Sequence, residues 1–252
     1  MQVVLEALWA RASKLQGGWE IEDALPLPPG HWVHPGMTGK SASAAAMKSK
    51  AAEPYHKGNV PARLMEAAER ILETEMVEDI TARRLCREVG VTSANFYNHY
   101  PSLEFLLLEI AAKGFQARTR MMRKLIKSNL SREEAMIECA VKTVELSLKQ
   151  PQLFRIMFGY SKEPTQSANY VKYGDESLAV LTHIVYGEDI FRTDDIAWSH
   201  EHCQKAYAFF SFIYGLAVAM STKMISNPHG TRKSMIAIIE DVTRAYLRGL
   251  DG

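Results

Sequence analysis

Between positions 92 and 98 the chain carries four short polar side chains, Thr92, Ser93, Asn95 and Asn98, with two ring donors, Tyr97 and His99, beside them. Short polar groups suit the major groove, because they approach base edges closely and an asparagine can pair bidentately with adenine. Tyr97 and His99 can donate to phosphate oxygens, and Arg83, Arg84 and Arg87 lie close upstream as cations for a nucleic-acid backbone. A second set, Phe154, Met157, Phe158, Tyr207, Phe210 and Tyr214, has the apolar and aromatic character of a ligand pocket, with His183 as a possible polar anchor. The same residues at helical spacing would equally fill a core, and residue by residue the core is the stronger reading. Filling such a pocket at Ala208 or Gly215 should block its ligand if those positions face it.

Other constellations carry less. His200, His202 and Cys203, with Asp194 and Asp195 upstream, have metal-ligand side chains. On a helix His200 and Cys203 share a face while His202 points elsewhere, and no second cluster completes a closed site. No metal is expected. Cys86 reads as a small buried side chain, since a reactive thiol needs an exposed, electropositive setting. The sequence has no Gly-rich phosphate loop, no Gly-x-Ser-x-Gly elbow and no His-Glu-x-x-His, so neither an enzyme nor a resident cofactor is expected.

The elements that position the polar cluster are helices. Leu64, Ala67, Ala68, Ile71 and Leu72 form one apolar stripe on a helix starting near Pro61. Thr81 is placed to cap a short helix ending at Val89, where Gly90 can take positive φ. A second short helix is expected from about Thr92 to Tyr97, and a long one from Ser102 to about Ile126. Two short helices joined by Glu88-Val89-Gly90-Val91 are a helix-turn-helix arrangement, with Leu85, Val89, Val91 and Phe96 packing inward. Ser131 and Glu134 predict a capping box for a helix whose stripe of Ile137, Ala140, Val141, Val144 and Leu148 runs to Pro151. Further helices are expected at 151–159, 173–186, 193–222 and 229–249. With no alternating run to argue for a strand, the class is all-α.

Bulk properties fit a soluble globular protein: 252 residues, 47% hydrophobic, 23% charged, net charge +1. The distribution is more informative than the total, since Met47 to Lys127 holds 14 basic against 10 acidic residues. That excess is compatible with nucleic-acid binding without establishing it. Three widely spaced cysteines, with no Cys-x-x-Cys pair and no secretory leader, read as a reducing cytoplasm. Ala206 to Thr222 carries no charge but includes serines, a threonine and tyrosines, which favours a buried helix over a membrane span. Residues 1–46, rich in proline, glycine and small residues, read as a mostly unstructured extension despite Trp9, Trp19 and Trp32. The alternatives are a short amphipathic helix over Val3 to Leu15, or a natural start at Met37 or Met47.

From Tyr55 to Leu107 the chain resembles the DNA-binding domain of the TetR family of regulators. The motifs are YHKGNV, AAERIL, ITARRLCREVGVTSANFYNHY and PSLEFLLLEIA. The resemblance implies a phosphate contact for Thr81, a recognition helix around Thr92, Ser93, Ala94, Asn95 and Asn98, and backbone contacts for Tyr97 and His99. Two positions depart from the family pattern. Leu103 stands where a phosphate-contacting lysine is usual, a contact that Arg87 or the arm of Lys48, Lys50 and Lys57 would have to replace. Met76-Val77-Glu78-Asp79 lacks a glycine common between the first two helices. KQPQLFRIMF, from Lys149 to Phe158, is similar to a helix in the effector domains of one TetR branch, and Phe210 to Gly215 keeps only the glycine of that branch's Trp-x-x-x-His-Gly.

The expected organisation is an extension over 1–46, a three-helix helix-turn-helix domain over 47–101, and a helical ligand-binding and dimerisation domain over 102–252. The expected function is a cytoplasmic homodimer that binds double-stranded operator DNA and acts as a repressor released by an unidentified small-molecule effector, with no membrane partner. A helical protein-binding adaptor that lost its DNA contacts, and a small-molecule enzyme, are the rival classes; salt-dependent operator binding separates them.

Overall fold

Local capping chemistry sets where most of the helices begin. Thr81, Thr92, Ser102, Ser131 and Ser167 each precede a helix, and each side chain accepts from the amide three residues on, at Arg84, Asn95, Phe105, Glu134 and Tyr170. Each bond satisfies one of the amides that a helix start leaves without an intrahelical partner. The computed structural model describes residues 59–159, 167–187, 200–227 and 229–250. The readings made for residues 1–46 and for Lys48, Lys50 and Lys57 lie outside these.

The described residues form helices α1 (Val60–Thr74), α2 (Ala82–Val89), α3 (Ser93–His99), α4 (Leu103–Ile126), α5 (Arg132–Lys149), α6 (Pro151–Phe158), α7 (Ala168–Tyr186), α8 (His200–Ser221) and α9 (Arg232–Leu250), with a 3-10 turn at Val77–Asp79. No strand occurs among them, as the all-α class requires. Ser131 and Glu134 close the capping box in both directions. Helix α3 runs past Tyr97 to His99. Helix α7 starts at Ala168 rather than at 173, because its cap is built by tertiary contact: the buried Ser167 accepts from the Tyr170 amide and donates to Glu109 on α4, at 2.6 Å. The 3-10 turn occupies the Met76 to Asp79 segment, where the TetR pattern has a glycine and this chain has none. Its Val77 is buried, and its amide donates to the Gln152 side chain at 3.1 Å.

Two clusters of buried side chains hold the helices together. One joins Leu64, Ala67 and Ile71 of α1, Leu85 and Val89 of α2 and Phe96 of α3 to the first half of α4, and reaches Ile156 and Met157 of α6. The other joins Met122, Met136, Cys139, Leu181, Phe209, Ile213 and Ile239 from α4, α5, α7, α8 and α9. Each fully buried Leu, Ile, Phe or Met side chain contributes roughly 1.5–3 kcal/mol by leaving water. Gly114 allows α6 to press on α4, since a Cβ there would lie 2.6 Å from the Met157 sulfur. The uncharged stretch within α8 is explained by Ala206, Phe209, Ile213 and Ala217, all buried in the second cluster. No described helix is long and apolar enough to cross a membrane.

Candidate nucleic-acid interface and ligand site

The turn between α2 and α3 is made by Gly90, whose φ of 74° is left-handed and costs a glycine little. The amide of Val91 donates back to the Cys86 carbonyl at 2.9 Å, and the Cys86 thiol reaches the Thr92 carbonyl at 3.6 Å, so both strands of the turn tie to the same helix end. Leu85, Val89 and Phe96 are buried, with Phe96 at 0% exposure, and Val91 packs against them. That inward set rotates the rest of α3 outward. Thr92, Ser93, Ala94, Asn98 and His99 are exposed, Tyr97 is 56% exposed, and Asn95 is half-buried. The Arg63 guanidinium donating to the Val89 carbonyl (2.7 Å) and the Tyr100 hydroxyl donating to the Pro61 carbonyl (3.0 Å) brace the hairpin against α1.

Thr81 and Thr92 use a hydroxyl lone pair for capping and keep the hydroxyl proton to donate outward. The arginines differ. Arg83 and Arg87 are exposed. Arg84 instead grips Glu75 at the end of α1 with two bonds of 2.7 and 2.6 Å, and its Nε reaches Glu88 at 3.2 Å. The bond from Arg84 holds the Glu75 carboxyl below its ordinary value. Arg84 therefore fastens α2 to α1, whereas the sequence suggested a cation turned to a backbone. Leu103 packs half-buried against the first cluster, which explains why an apolar residue stands where a lysine is usual.

The candidate ligand residues separate into two places. Phe154 and Tyr214 stack with centroids 5.6 Å apart, and Phe158 lies 5.0 Å from Phe154, 5.7 Å from Phe210 and 5.9 Å from Tyr214. Rings in such mutual contact fill a core. Phe154 and Met157 are buried, while Phe158, Tyr207, Phe210 and Tyr214 are half-buried. His183 lines a different cleft, of about 450 Å³, with Arg123, Ile126, Glu176 and Val180. Ala208 and Gly215 are exposed, and a Cβ at Gly215 would meet nothing within 4 Å, so neither points into the aromatic set. The condition attached to filling a pocket from these two positions is therefore not met. Cys86 and Cys139 are buried, and no group of metal-ligating side chains occurs among the described residues; the side chains of His200, His202 and Cys203 lie outside them.

Two features escaped the sequence reading. Arg118, in the middle of α4, is buried at 7% exposure, and its Nη1 donates to the Ser177 hydroxyl on α7 at 2.6 Å. In sequence it looks like one more cation among Arg120, Arg123 and Lys124. The signal available was register, since Ala111, Phe115, Arg118 and Met122 fall on one apolar stripe. The second feature is the contact of α6 with the 3-10 turn. Gln152 accepts from the Val77 amide, and Arg155 pairs with Glu78, its Nη1 at 2.9 Å, lowering the Glu78 pKa chiefly through that bond.

No protein-family model and no curated protein matches the sequence. Solved structures do match. A protein of unknown function from Rhodococcus sp. RHA1 is 22% identical, with 78% of this chain and 97% of that one covered and a TM-score of 0.60. The transcriptional regulator FadR from Bacillus subtilis, solved in complex with stearoyl-CoA, is 13% identical over 73% of this chain and 95% of its own, with a TM-score of 0.52. A regulatory protein of the TetR family from Rhodococcus RHA1 is 16% identical over 73% and 94%, with a TM-score of 0.51. At these identities the likeness is one of architecture, and the architecture of this chain is the all-helical fold of the TetR-type and FadR-type regulators.

Proposed function

We propose that the chain is a sequence-specific DNA-binding transcriptional regulator, working as a homodimer and as a repressor that a small ligand releases from its operator. The observation that carries this reading is the outer face of α3. Thr92, Ser93, Tyr97, Asn98 and His99 are turned to solvent by the burial of Phe96, with the exposed Arg83 and Arg87 beside them. Such a face offers base-edge donors and acceptors in its middle and phosphate donors at its margins. One helix of this length reads too few base pairs alone, and a two-fold dimer reads two half-sites about 34 Å or a multiple apart.

Helices α8 and α9 are the candidate dimer surface. Ala208, Ser211 and Gly215 of α8 and Val242 and Ala245 of α9 are exposed small or apolar residues, and Phe212 stacks on Tyr246 at 4.3 Å between the two helices. A ligand held among the helices beyond α3 reaches the DNA-binding hairpin by two routes: α4, which enters both buried clusters, and α6, which holds the 3-10 turn through Gln152 and Arg155. A ligand shifts operator binding only by its differential affinity for the two conformations, and operator DNA must weaken the ligand by the same factor. Work on operator DNA places the protein in the cytoplasm.

The test is a set of four variants. Tyr97→Phe and His99→Ala weaken binding about equally on all DNA sequences, whereas Asn95→Ala and Asn98→Ala alter the preferred sequence at roughly 1–3 kcal/mol for each lost base contact. Unchanged binding in all four, each still folded, refutes the assignment of α3 as the recognition helix.

A further inference from the structure

The middle of α4 carries a charge that the protein leaves largely unanswered. Arg118 has five N–H donors, and the Ser177 hydroxyl accepts from its Nη1, while Nε and Nη2 are buried with no acceptor. A guanidinium out of water demands compensation, normally a carboxylate with matching geometry. Carboxylates on the helices packed around it are committed elsewhere: Glu176 to Arg123, Glu138 to Lys142, Glu145 to Arg232, Lys142 and Lys149, and Glu109 to Ser167 and Asn169. The ionisable neighbour it does have is Cys139 of α5, whose thiol burial pushes upward and therefore keeps neutral.

Arg118 also lines a cleft of about 340 Å³ where α4, α5 and the start of α6 meet. Ala117, Met121, Leu146 and Leu153 give it apolar walls, and the buried Glu145 lines it with the more exposed Lys142 and Lys149 paired to it. Three cations line the cleft against that one carboxylate, and Glu145 is also bridged by Arg232. The potential there favours an anion. An adjoining cleft of about 360 Å³ shares Gly114, Ala117, Gln150 and Leu153 with the first and extends to Leu72 of α1. A ligand body lying along both would touch α1, against which the hairpin is braced, and α6, the helix that holds the 3-10 turn.

We infer that Arg118 is the anchor for the head of an anionic effector, a monocarboxylate with an apolar body, held in this cleft between α4, α5 and α6. The inference rests on the ligand-responsive reading above and names the chemistry of its ligand. The carboxylate takes the unanswered Nε and Nη2 donors, which are closed to solvent in the unliganded chain and are reached as its head enters between α4 and α5, and the body lies on Ala117, Met121, Leu146 and Leu153. Without the ligand, the buried charge is a cost to the fold, as expected of a side chain kept for binding.

The experiment is calorimetry and thermal melting on the full chain, with straight-chain carboxylates from butyrate to dodecanoate and, for each, the neutral amide of the same length. At least one carboxylate binds, and its amide binds at least about tenfold more weakly, the ratio that one lost charge-assisted hydrogen bond supplies. Arg118→Gln and Arg118→Met abolish the difference between acid and amide, and unliganded Arg118→Met melts no lower than the unsubstituted protein. The inference is overturned if no carboxylate binds, if acid and amide bind alike, or if both variants melt several degrees lower and keep the preference for acid. Calorimetry involves no DNA, so the two proposals fail separately. Acid-selective binding by a protein that retains no DNA sinks the regulator reading and leaves this one standing, and DNA retention without acid selectivity does the reverse.

Discussion

Replacing Gly90 with alanine probes how α3, the proposed recognition helix, is presented. The residue sits at φ 74°, ψ 38°, and a Cβ added there would meet nothing within 4 Å, so the substitution introduces conformational strain and no collision. Holding an L-residue with a side chain in the left-handed region costs roughly 1–2 kcal/mol. Alanine also restricts the unfolded chain, which returns about 0.4–1 kcal/mol. The net destabilisation is about 1 kcal/mol. For a chain of this size that lowers the melting midpoint by about 2–4 °C. Gly90→Asn should recover most of the loss, because asparagine tolerates this conformation far better. The assay is thermal melting followed by helical circular dichroism on the three proteins side by side. A Gly90→Ala protein that melts at or above the unsubstituted one refutes the reasoning, since it means the turn does not require a left-handed residue. In operator binding, Gly90→Ala should lose more affinity than its small stability loss implies, because an alternative turn re-aims α3.

The arginines of α2 should separate by assay: Arg87→Ala lowers the slope of log affinity against log salt by about 1.8 with unchanged melting, as loss of one phosphate contact from each half of the proposed dimer requires, while Arg84→Ala lowers the melting midpoint and leaves the slope alone. An altered slope in Arg84→Ala with unchanged melting contradicts the role given to its bonds with Glu75 and Glu88. Removing the α6 contacts with the 3-10 turn, by Gln152→Ala with Arg155→Ala, should leave both ligand and operator binding measurable but reduce the effect of one on the other. A double variant whose operator affinity still responds fully to ligand shows that the signal does not pass through Val77 and Glu78.

What the sequence made legible was local. The caps at Thr81 and Ser131 and the glycine at the α2 end each involve residues within a turn of one another, and helical register alone placed Phe96 inward and Tyr97, Asn98 and His99 outward. What stayed hidden depends on contacts between distant segments. The start of α7 is set by a bond from Ser167 to Glu109, and the role of Arg84 is set by Glu75 across the inter-helix turn. For the aromatic set the sequence left pocket and core both open, with core the stronger, because composition cannot tell rings that face a void from rings that face each other. Arg118 was hidden for the opposite reason, as a charge among charges, although its position on the stripe of Phe115 and Met122 marked it for burial.

Selection of bound duplexes from a random pool at moderate salt tests whether the outer face of α3 reads DNA. A recognition helix on a two-fold dimer enriches a two-fold symmetric sequence, with half-sites about one helical turn or a multiple apart and retention that falls steeply as salt is raised. A folded protein that enriches no sequence, or holds all duplexes alike, contradicts that role for α3.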